Sequence, residues 1–141
     1  MLRKSSFNEL QTFILVFGLG VFLLFRGLFW FSEQEKVLND SPFYVALHEI
    51  MPIWVWGIIA MILSLILASS AWFIPRQKVN NVCNTLMLIG GLGNAILYFL
   101  MTSASIYNSI NWLSTAQFSV LTVVCGAIGF MGGAEIYDRR H

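Results

Sequence analysis

The sequence predicts an all-α integral membrane protein in which four transmembrane helices form an antiparallel bundle. Of 141 residues, 57% are hydrophobic and only 11% are charged, whereas soluble domains carry about 25% charged residues. Four long apolar runs occur, each long enough to cross a bilayer. The connections between these runs are short apart from the first, which favours antiparallel neighbours. The whole chain, 1–141, is therefore predicted to be a single membrane domain.

The clearest apolar run lies between Pro52 and Pro75 and contains 22 residues without a charge. A helix of this length extends roughly 33 Å, which is sufficient to cross the hydrocarbon core of a bilayer. Trp54 lies at one end and Trp72 at the other, as expected for aromatic rings in the headgroup layers. These features predict a transmembrane helix over residues 53–74.

The remaining spans are predicted over residues 10–31, 82–101 and 113–134. The first follows a short basic start and so resembles a signal peptide. Its apolar stretch is too long, however, and no small-residue cleavage site follows, so we expect it to be retained. No span contains a carboxylate near its middle, which argues against proton antiport of the usual kind.

The longest connection, residues 32–51, divides into an acidic polar half and a half with helical periodicity. Pro42 suits the first turn of a helix, and Phe43 and Leu47 recur at helical spacing. This pattern predicts a short amphipathic helix over about 42–51 on the outer membrane surface, with its apolar stripe toward lipid. The residues predicted to form its more polar, outer interfacial face are Tyr44, His48 and Glu49.

The basic residues predict the orientation in the membrane. Four spans place both termini on one side, and cytoplasmic loops carry an excess of Lys and Arg. The loops on the other side contain a single cation, Lys36, beside four carboxylates. The N- and C-termini are therefore predicted to be cytoplasmic, in a plasma or inner membrane. The six cations on the side of the termini are Arg3, Lys4, Arg76, Lys78, Arg139 and Arg140.

Glycines cluster in the third and fourth spans, where two of them form a G-x-x-x-G pattern. Small residues allow membrane helices to approach closely. We therefore predict a close contact between the third and fourth spans, or between protomers. The residues predicted to form these helix contacts are Gly90, Gly93, Gly126, Gly129 and Gly133.

Two polar residues within the spans are candidates for function. Arg26 is about five residues from the outer end of the first span. A charge in a membrane suggests a function, here contact with an anion or with a carboxylate of the outer loop. Its modest depth favours the alternative, in which the side chain snorkels to the headgroups. Asn94 lies near the middle of the third span, where it can hydrogen-bond to another helix or subunit, or line a polar path.

The sequence contains no recognisable catalytic motif: no H-E-x-x-H, nucleophile elbow or P-loop occurs. His48 and Glu49 are too few ligands for a metal, and no cofactor is predicted. The absence of a basic patch outside the span flanks argues against a nucleic-acid partner. Cys83 and Cys125 lie in apolar segments, which favours small buried residues over a disulfide. We therefore predict that the protein is not an enzyme.

The segment from Arg26 to Gly57 begins with RGL, continues through the acidic loop and ends with PIWVWG. It resembles small multipass membrane proteins that are encoded by phages and prophages of Gram-positive bacteria. Some phage membrane proteins of this size are holins, which gather in the host membrane and permeabilise it. The resemblance implies a phage context, although this chain lacks the strongly charged C-terminal tail that is common in holins.

These observations leave three hypotheses for the function. The first is a non-enzymatic membrane protein that self-associates through its glycine-rich helix faces, with holin-like permeabilisation as its activity. The second is an accessory or assembly subunit of a larger membrane complex, which uses the outer helix and Arg26 as contacts. The third is a small transporter or channel with Asn94 in its path. The predicted partners are the lipid bilayer and either further copies of the chain or another membrane protein.

Overall fold

The computed structural model describes residues 4–108 and 111–141. Its helices are α1 (Lys4–Ser32), α2 (Gln34–Asp40), α3 (Pro42–Ile50), α4 (Ile53–Trp72), α5 (Val82–Asn108) and α6 (Trp112–Asp138), with a 3₁₀ turn at Ile74–Arg76. No strand occurs within these residues. Along the chain, the two short helices α2 and α3 lie between α1 and the other long helices.

Four helices, α1, α4, α5 and α6, are long and apolar enough to cross a membrane. Each of them lies over one of the predicted spans, which confirms the all-α, multipass class. Large apolar side chains such as Phe25, Val123 and Phe130 are exposed on the outside of the bundle, as expected where lipid surrounds the protein. The side of the membrane on which the termini lie stays a prediction.

The long helices pack in chain order: α1 lies against α4, α4 against α5, and α5 against α6. α4 and α5 are the inner helices, because 44% and 39% of their apolar segments are buried, compared with 22% for both α1 and α6. Neighbours are antiparallel. At one end of the α5–α6 pair Gly132 lies against Asn84, and at the other Ser105 bonds to Thr115. The two outer helices, α1 and α6, do not pack extensively against each other.

Glycines bring the helix backbones together at two crossings. A Cβ atom on Gly91 would lie 2.5 Å from the backbone nitrogen of Gly129, so α5 and α6 touch through their main chains. A Cβ atom on Gly27 would lie 2.9 Å from the carbonyl oxygen of Gly57, so α1 and α4 also touch through their main chains. The first crossing confirms the predicted approach of the third and fourth spans, and the second was not predicted.

Two connections contain more helix than the sequence predicts. The polar half of the outer loop forms α2, because the fully buried Val37 anchors it to the rest of the protein. α5 continues past the predicted end of its span and reaches Asn108. The polar side chains of this extension, such as Thr102 and Ser103, donate to carbonyl oxygens four residues earlier in the same helix, so they do not end it. Residues 109–110 of the predicted 102–112 loop lie outside the described residues.

Arg139 ties the last helix to the connection between α4 and α5. Its guanidinium donates to the carbonyl oxygens of Gln77 and Asn80. It also forms an ion pair with Glu135, one turn earlier, at 3.0 Å. The end of α6 and the basic α4–α5 connection are therefore held together, at the end of the bundle opposite α3.

Replacing Gly91 by alanine is expected to destabilise the protein, because the added methyl group would overlap the backbone of Gly129. Overpacking costs about 1–3 kcal/mol, whereas the gain in helix propensity is at most about 1 kcal/mol. Gly18→Ala is the matched control, since no atom lies within 4 Å of its Cβ position. Thermal unfolding in detergent should show a lower midpoint for Gly91→Ala than for Gly18→Ala, and equal midpoints would contradict this crossing.

Candidate functional site

The glycines predicted to form helix contacts all meet other helices of the same chain. A Cβ atom on Gly90 would lie 2.7 Å from the backbone nitrogen of Leu67, and one on Gly129 would lie 2.7 Å from that of Leu92. Of the two predicted alternatives, the structure therefore describes contact within the chain. The other three glycines meet side chains, which belong to Leu63 for Gly93, Ala95 for Gly126 and Leu88 for Gly133.

The glycine contacts between α1 and α4 were not anticipated from the sequence. Gly20 lies against Ala68, and Gly27 against Gly57. Because α4 is apolar all round, hydrophobic periodicity does not distinguish its buried side from its lipid-facing side. The positions of small residues do mark the buried side of α4, because these residues recur every three or four positions and are buried. They are Gly57, Ala60, Ser64 and Ala68.

Asn94 is completely buried in α5, but it does not form the predicted hydrogen bond to another helix. Its amide nitrogen donates to the carbonyl oxygen of Gly90, 2.8 Å away and one turn earlier in the same helix. Ser64 and Ser70 of α4 likewise donate to carbonyl oxygens of their own helix. The amide nitrogen of Asn94 and the two serine hydroxyls therefore bond within their own helices, and they form no chain of hydrogen bonds from helix to helix.

The outer helix α3 places its apolar stripe against the bundle rather than in lipid. Phe43 and Leu47 are buried, and the Phe43 ring packs edge-on against Phe118 of α6, with 5.5 Å between centroids. From α4, the Trp56 indole N–H donates to the carbonyl oxygens of Leu47 and Met51. Packing and hydrogen bonds therefore fix α3 to the end of the bundle.

Tyr44 does not lie on a polar outer face, as the sequence predicts, because it is only 7% exposed. It packs edge-on against Trp30 of α1, with 6.4 Å between ring centroids. Burial raises the pKa of Tyr44 above its ordinary value, although Trp30 and the charge of Arg26 act in the opposite direction. The helical periodicity placed Tyr44 beside the apolar stripe, and the docking of α3 on the bundle covers both.

His48 has a structural partner. Its Nδ1 atom accepts a hydrogen bond of 3.3 Å from the backbone N–H of Ile53, one of the free donors at the start of α4. Glu49 beside it is exposed. In the part of the chain that the structure describes, no group of three His, Cys, Asp or Glu residues could hold a metal ion. Cys83 and Cys125 are buried and free.

Arg26 lies among aromatic rings at the open side of the bundle, between α1 and α6. Its guanidinium carbon is 5.0 Å from the ring centroid of Phe118, 5.8 Å from that of Trp30 and 5.9 Å from that of Phe22. Such cation–π contacts contribute about 0.5–2 kcal/mol each. They attract the guanidinium, but the rings have no net charge, so they do not take the place of an anion.

Among the described residues, no carboxylate pairs with Arg26. Glu33, one of its predicted partners, pairs instead with Lys36 at 2.7 Å. The Nε atom of Arg26 and the hydroxyl of Tyr98 are buried, and neither forms a hydrogen bond of standard geometry. The two side chains are nevertheless close enough to interact with each other. The Oδ1 atom of Asn94, one turn from Tyr98 on the same face of α5, is a third such atom. Unsatisfied polar groups are therefore concentrated on Arg26 and on this face of α5.

A groove of about 350 Å³ opens beside Arg26 between the outer helices. Because α1 and α6 do not pack extensively against each other, this groove is open on the side of the bundle. Its walls are apolar except for the guanidinium of Arg26 and the amide of Gln117. We call it the Arg26 groove, and its lining residues are Phe22, Arg26, Ala116, Gln117, Val120 and Leu121.

Comparisons of this chain with protein-family models, curated proteins and solved structures give no match. The resemblance to phage-encoded membrane proteins therefore stays a prediction from the sequence. A function can be inferred only from the geometry of the chain itself.

Two buried hydroxyl groups of α5 are expected to respond differently to removal. The Tyr98 hydroxyl forms no hydrogen bond of standard geometry, whereas the Ser105 hydroxyl bonds to Thr115 of α6 at 2.9 Å. Ser105→Ala should lower stability by about 1 kcal/mol, and Tyr98→Phe should leave it unchanged or raise it. Thermal unfolding of both variants in detergent is the measurement. A larger loss for Tyr98→Phe than for Ser105→Ala would show that this hydroxyl has a partner in the folded protein.

Proposed function

We propose that this protein is a non-enzymatic accessory subunit of a larger membrane complex. Its partner-binding element is the cap, which we define as residues 34–50, the helices α2 and α3 at one end of the bundle. The proposal is carried by one observation, the packing of the cap against the membrane helices. The sequence predicts a polar loop for the first half of the cap, but this half is helical and packs against the membrane helices.

Buried apolar side chains hold both helices of the cap in place. Val37 of α2 is 0% exposed, and Phe43 and Leu47 of α3 are 1% and 2% exposed. The Trp56 indole adds hydrogen bonds of 3.3 and 3.0 Å to carbonyl oxygens at the end of α3. A pre-formed surface loses little conformational entropy when a partner binds, and this supports a role of the cap in recognition.

The outer surface of the cap combines apolar and acidic groups. Ile50 and Val45 are 77% and 45% exposed, and Glu35, Asp40 and Glu49 are exposed beside them. A groove of about 530 Å³ lies between α2, α3 and the end of α5. The chemistry that fits this surface is a basic and apolar segment of a second membrane protein, since opposite charges favour encounter and fix orientation.

In a plasma or inner membrane, we place the cap outside the cell and both termini in the cytoplasm. Arg76, Lys78 and Arg139 lie at the end of the bundle opposite the cap, where Arg139 binds the α4–α5 connection. The cap contains a single cation, Lys36. An excess of Lys and Arg is typical of the cytoplasmic side, and the distribution of charge supports this orientation.

Ile50→Cys is expected to crosslink to a second protein when intact native cells are treated with a membrane-impermeant, thiol-reactive photo-crosslinker, because Ile50 is 77% exposed. The native cysteines are buried and should not react. Adding Glu49→Lys to Ile50→Cys should reduce the adduct about tenfold, since like charges would then face each other across the interface. The measurement is the mass and yield of the adduct.

Phe25→Cys on the lipid-facing side of α1 and Tyr137→Cys near the end of α6 are the matched controls, because both positions are 64% exposed. Neither should react with the impermeant reagent. Labelling of Tyr137→Cys in place of Ile50→Cys would reverse the orientation. An adduct that contains only two copies of this chain would contradict the accessory role and favour self-association.

Expression of the full chain alone in a bacterium is expected to leave the membrane potential intact. The glycine faces required for holin-like self-association are occupied within the chain, as Gly90 and Gly129 are. A potential-sensitive dye and cell growth should be followed together, with the inserted protein quantified in the membrane fraction. Abrupt depolarisation at a threshold level of inserted protein would refute the accessory role and support permeabilisation.

A further inference from the structure

We infer that the Arg26 groove binds an anionic phospholipid, with the phosphate of the headgroup on the Arg26 guanidinium. The site lies on the side of the bundle, between α1 and α6, and it is separate from the outer surface of the cap. The ligand chemistry is therefore one negatively charged phosphodiester attached to acyl chains, taken from the leaflet on the cap side.

The charge of Arg26 calls for an anion from outside the chain. Among the described residues it has no carboxylate partner, and its Nε atom is buried without a hydrogen bond. Three aromatic rings within 5.9 Å hold the guanidinium in position. A cation that is partly removed from water and lacks a counter-ion is unfavourable, and a phosphate oxygen accepts strong, charge-assisted hydrogen bonds from arginine.

The depth of Arg26 matches the position of a lipid phosphate. α1 ends at Ser32, six residues beyond Arg26, which corresponds to about 9 Å along the helix axis. The guanidinium therefore lies close to the boundary between the headgroups and the hydrocarbon core, within the reach of an arginine side chain. A phospholipid of the same leaflet carries its phosphate near this level.

The Arg26 groove changes from polar to apolar in the direction of the bilayer centre. Gln117 lies nearer to the cap end of α6 than Val120 and Leu121 do, and Phe22 lies one turn deeper in α1 than Arg26. The amide of Gln117 can add a second donor to the headgroup, while the deeper apolar residues contact an acyl chain. A free inorganic anion would leave these apolar walls unused, so the groove favours a lipid.

The purified full chain should be examined in detergent by native mass spectrometry with dioleoyl phosphatidylglycerol, with dioleoyl phosphatidylcholine and with inorganic phosphate. We expect one phosphatidylglycerol to be retained about tenfold more than phosphatidylcholine, because the choline cation of phosphatidylcholine offsets the negative charge of its phosphate beside Arg26. We expect no retention of phosphate alone. Equal retention of the two lipids, or retention of inorganic phosphate, would overturn the inference.

Arg26→Gln should reduce the retention of phosphatidylglycerol about tenfold, and Arg26→Lys should reduce it less, because lysine keeps the charge but not the paired donors. Lys36→Gln is the control, since Lys36 is a cation on the same side of the bundle and its side chain is 73% exposed. Unchanged retention in Arg26→Gln with an unchanged unfolding midpoint would refute the site.

A second pair of variants tests the groove without altering a charge. Val120→Trp fills the Arg26 groove, whereas Val123→Trp places the same ring on an exposed lipid-facing position outside it. We expect only Val120→Trp to displace phosphatidylglycerol. This pair decides the question if Arg26→Gln does not fold, and equal retention in the two variants would contradict binding in the groove.

Discussion

The architecture depends on direct contact between helix backbones at small residues. Surrounding lipid is as apolar as the helices, so burial from water does not hold them together, and close packing must do so. Gly91 meets Gly129 where α5 crosses α6, and Gly27 meets Gly57 where α1 crosses α4. Between these two pairs, Gly90 brings α5 against Leu67 of α4. The crossings make α4 and α5 the inner helices and leave α1 and α6 on the outside.

This packing leaves little room for polar groups, and most of them bond within their own helix. Thr12, Ser69 and Thr122 each donate to a carbonyl oxygen four residues earlier. Hydrogen bonds of this kind need no neighbouring helix, which explains why scattered hydroxyl groups do not make a path across the bundle. The exceptions are the Nε atom of Arg26, the Oδ1 atom of Asn94 and the hydroxyl of Tyr98, which are buried without a hydrogen bond of standard geometry. Of these residues, Arg26 lies where the bundle is least closed, beside the groove between the two outer helices.

The two ends of the bundle have different physical characters. At one end, the cap is packed onto the membrane helices through Phe43 and Leu47 and carries acidic groups on its outer surface. At the other, Arg139 fastens the last helix to the basic connection between α4 and α5. The cap end provides a pre-formed surface. The opposite end carries the positive charge from which the orientation in the membrane is predicted. An accessory role is consistent with this division, and the Arg26 groove adds a contact with lipid on the side.

By themselves, the residues of the chain determined the all-α class, the four long apolar helices and the helix after Pro42. The glycine pattern predicted a close contact of the third and fourth spans, but left open whether it lies within the chain or between protomers. Length, the absence of charge and helical periodicity are sufficient for the class and for the helices themselves, because each of these features is local. Only the tertiary structure decided that Tyr44 is buried, that Gly27 meets Gly57 and that Arg26 lies beside an open groove. Hydrophobicity distinguishes apolar from polar surface, but in a membrane both the lipid-facing and the protein-facing sides of a helix are apolar. Which side meets a neighbour depends on how small residues fit together across helices, and that is a property of the folded chain.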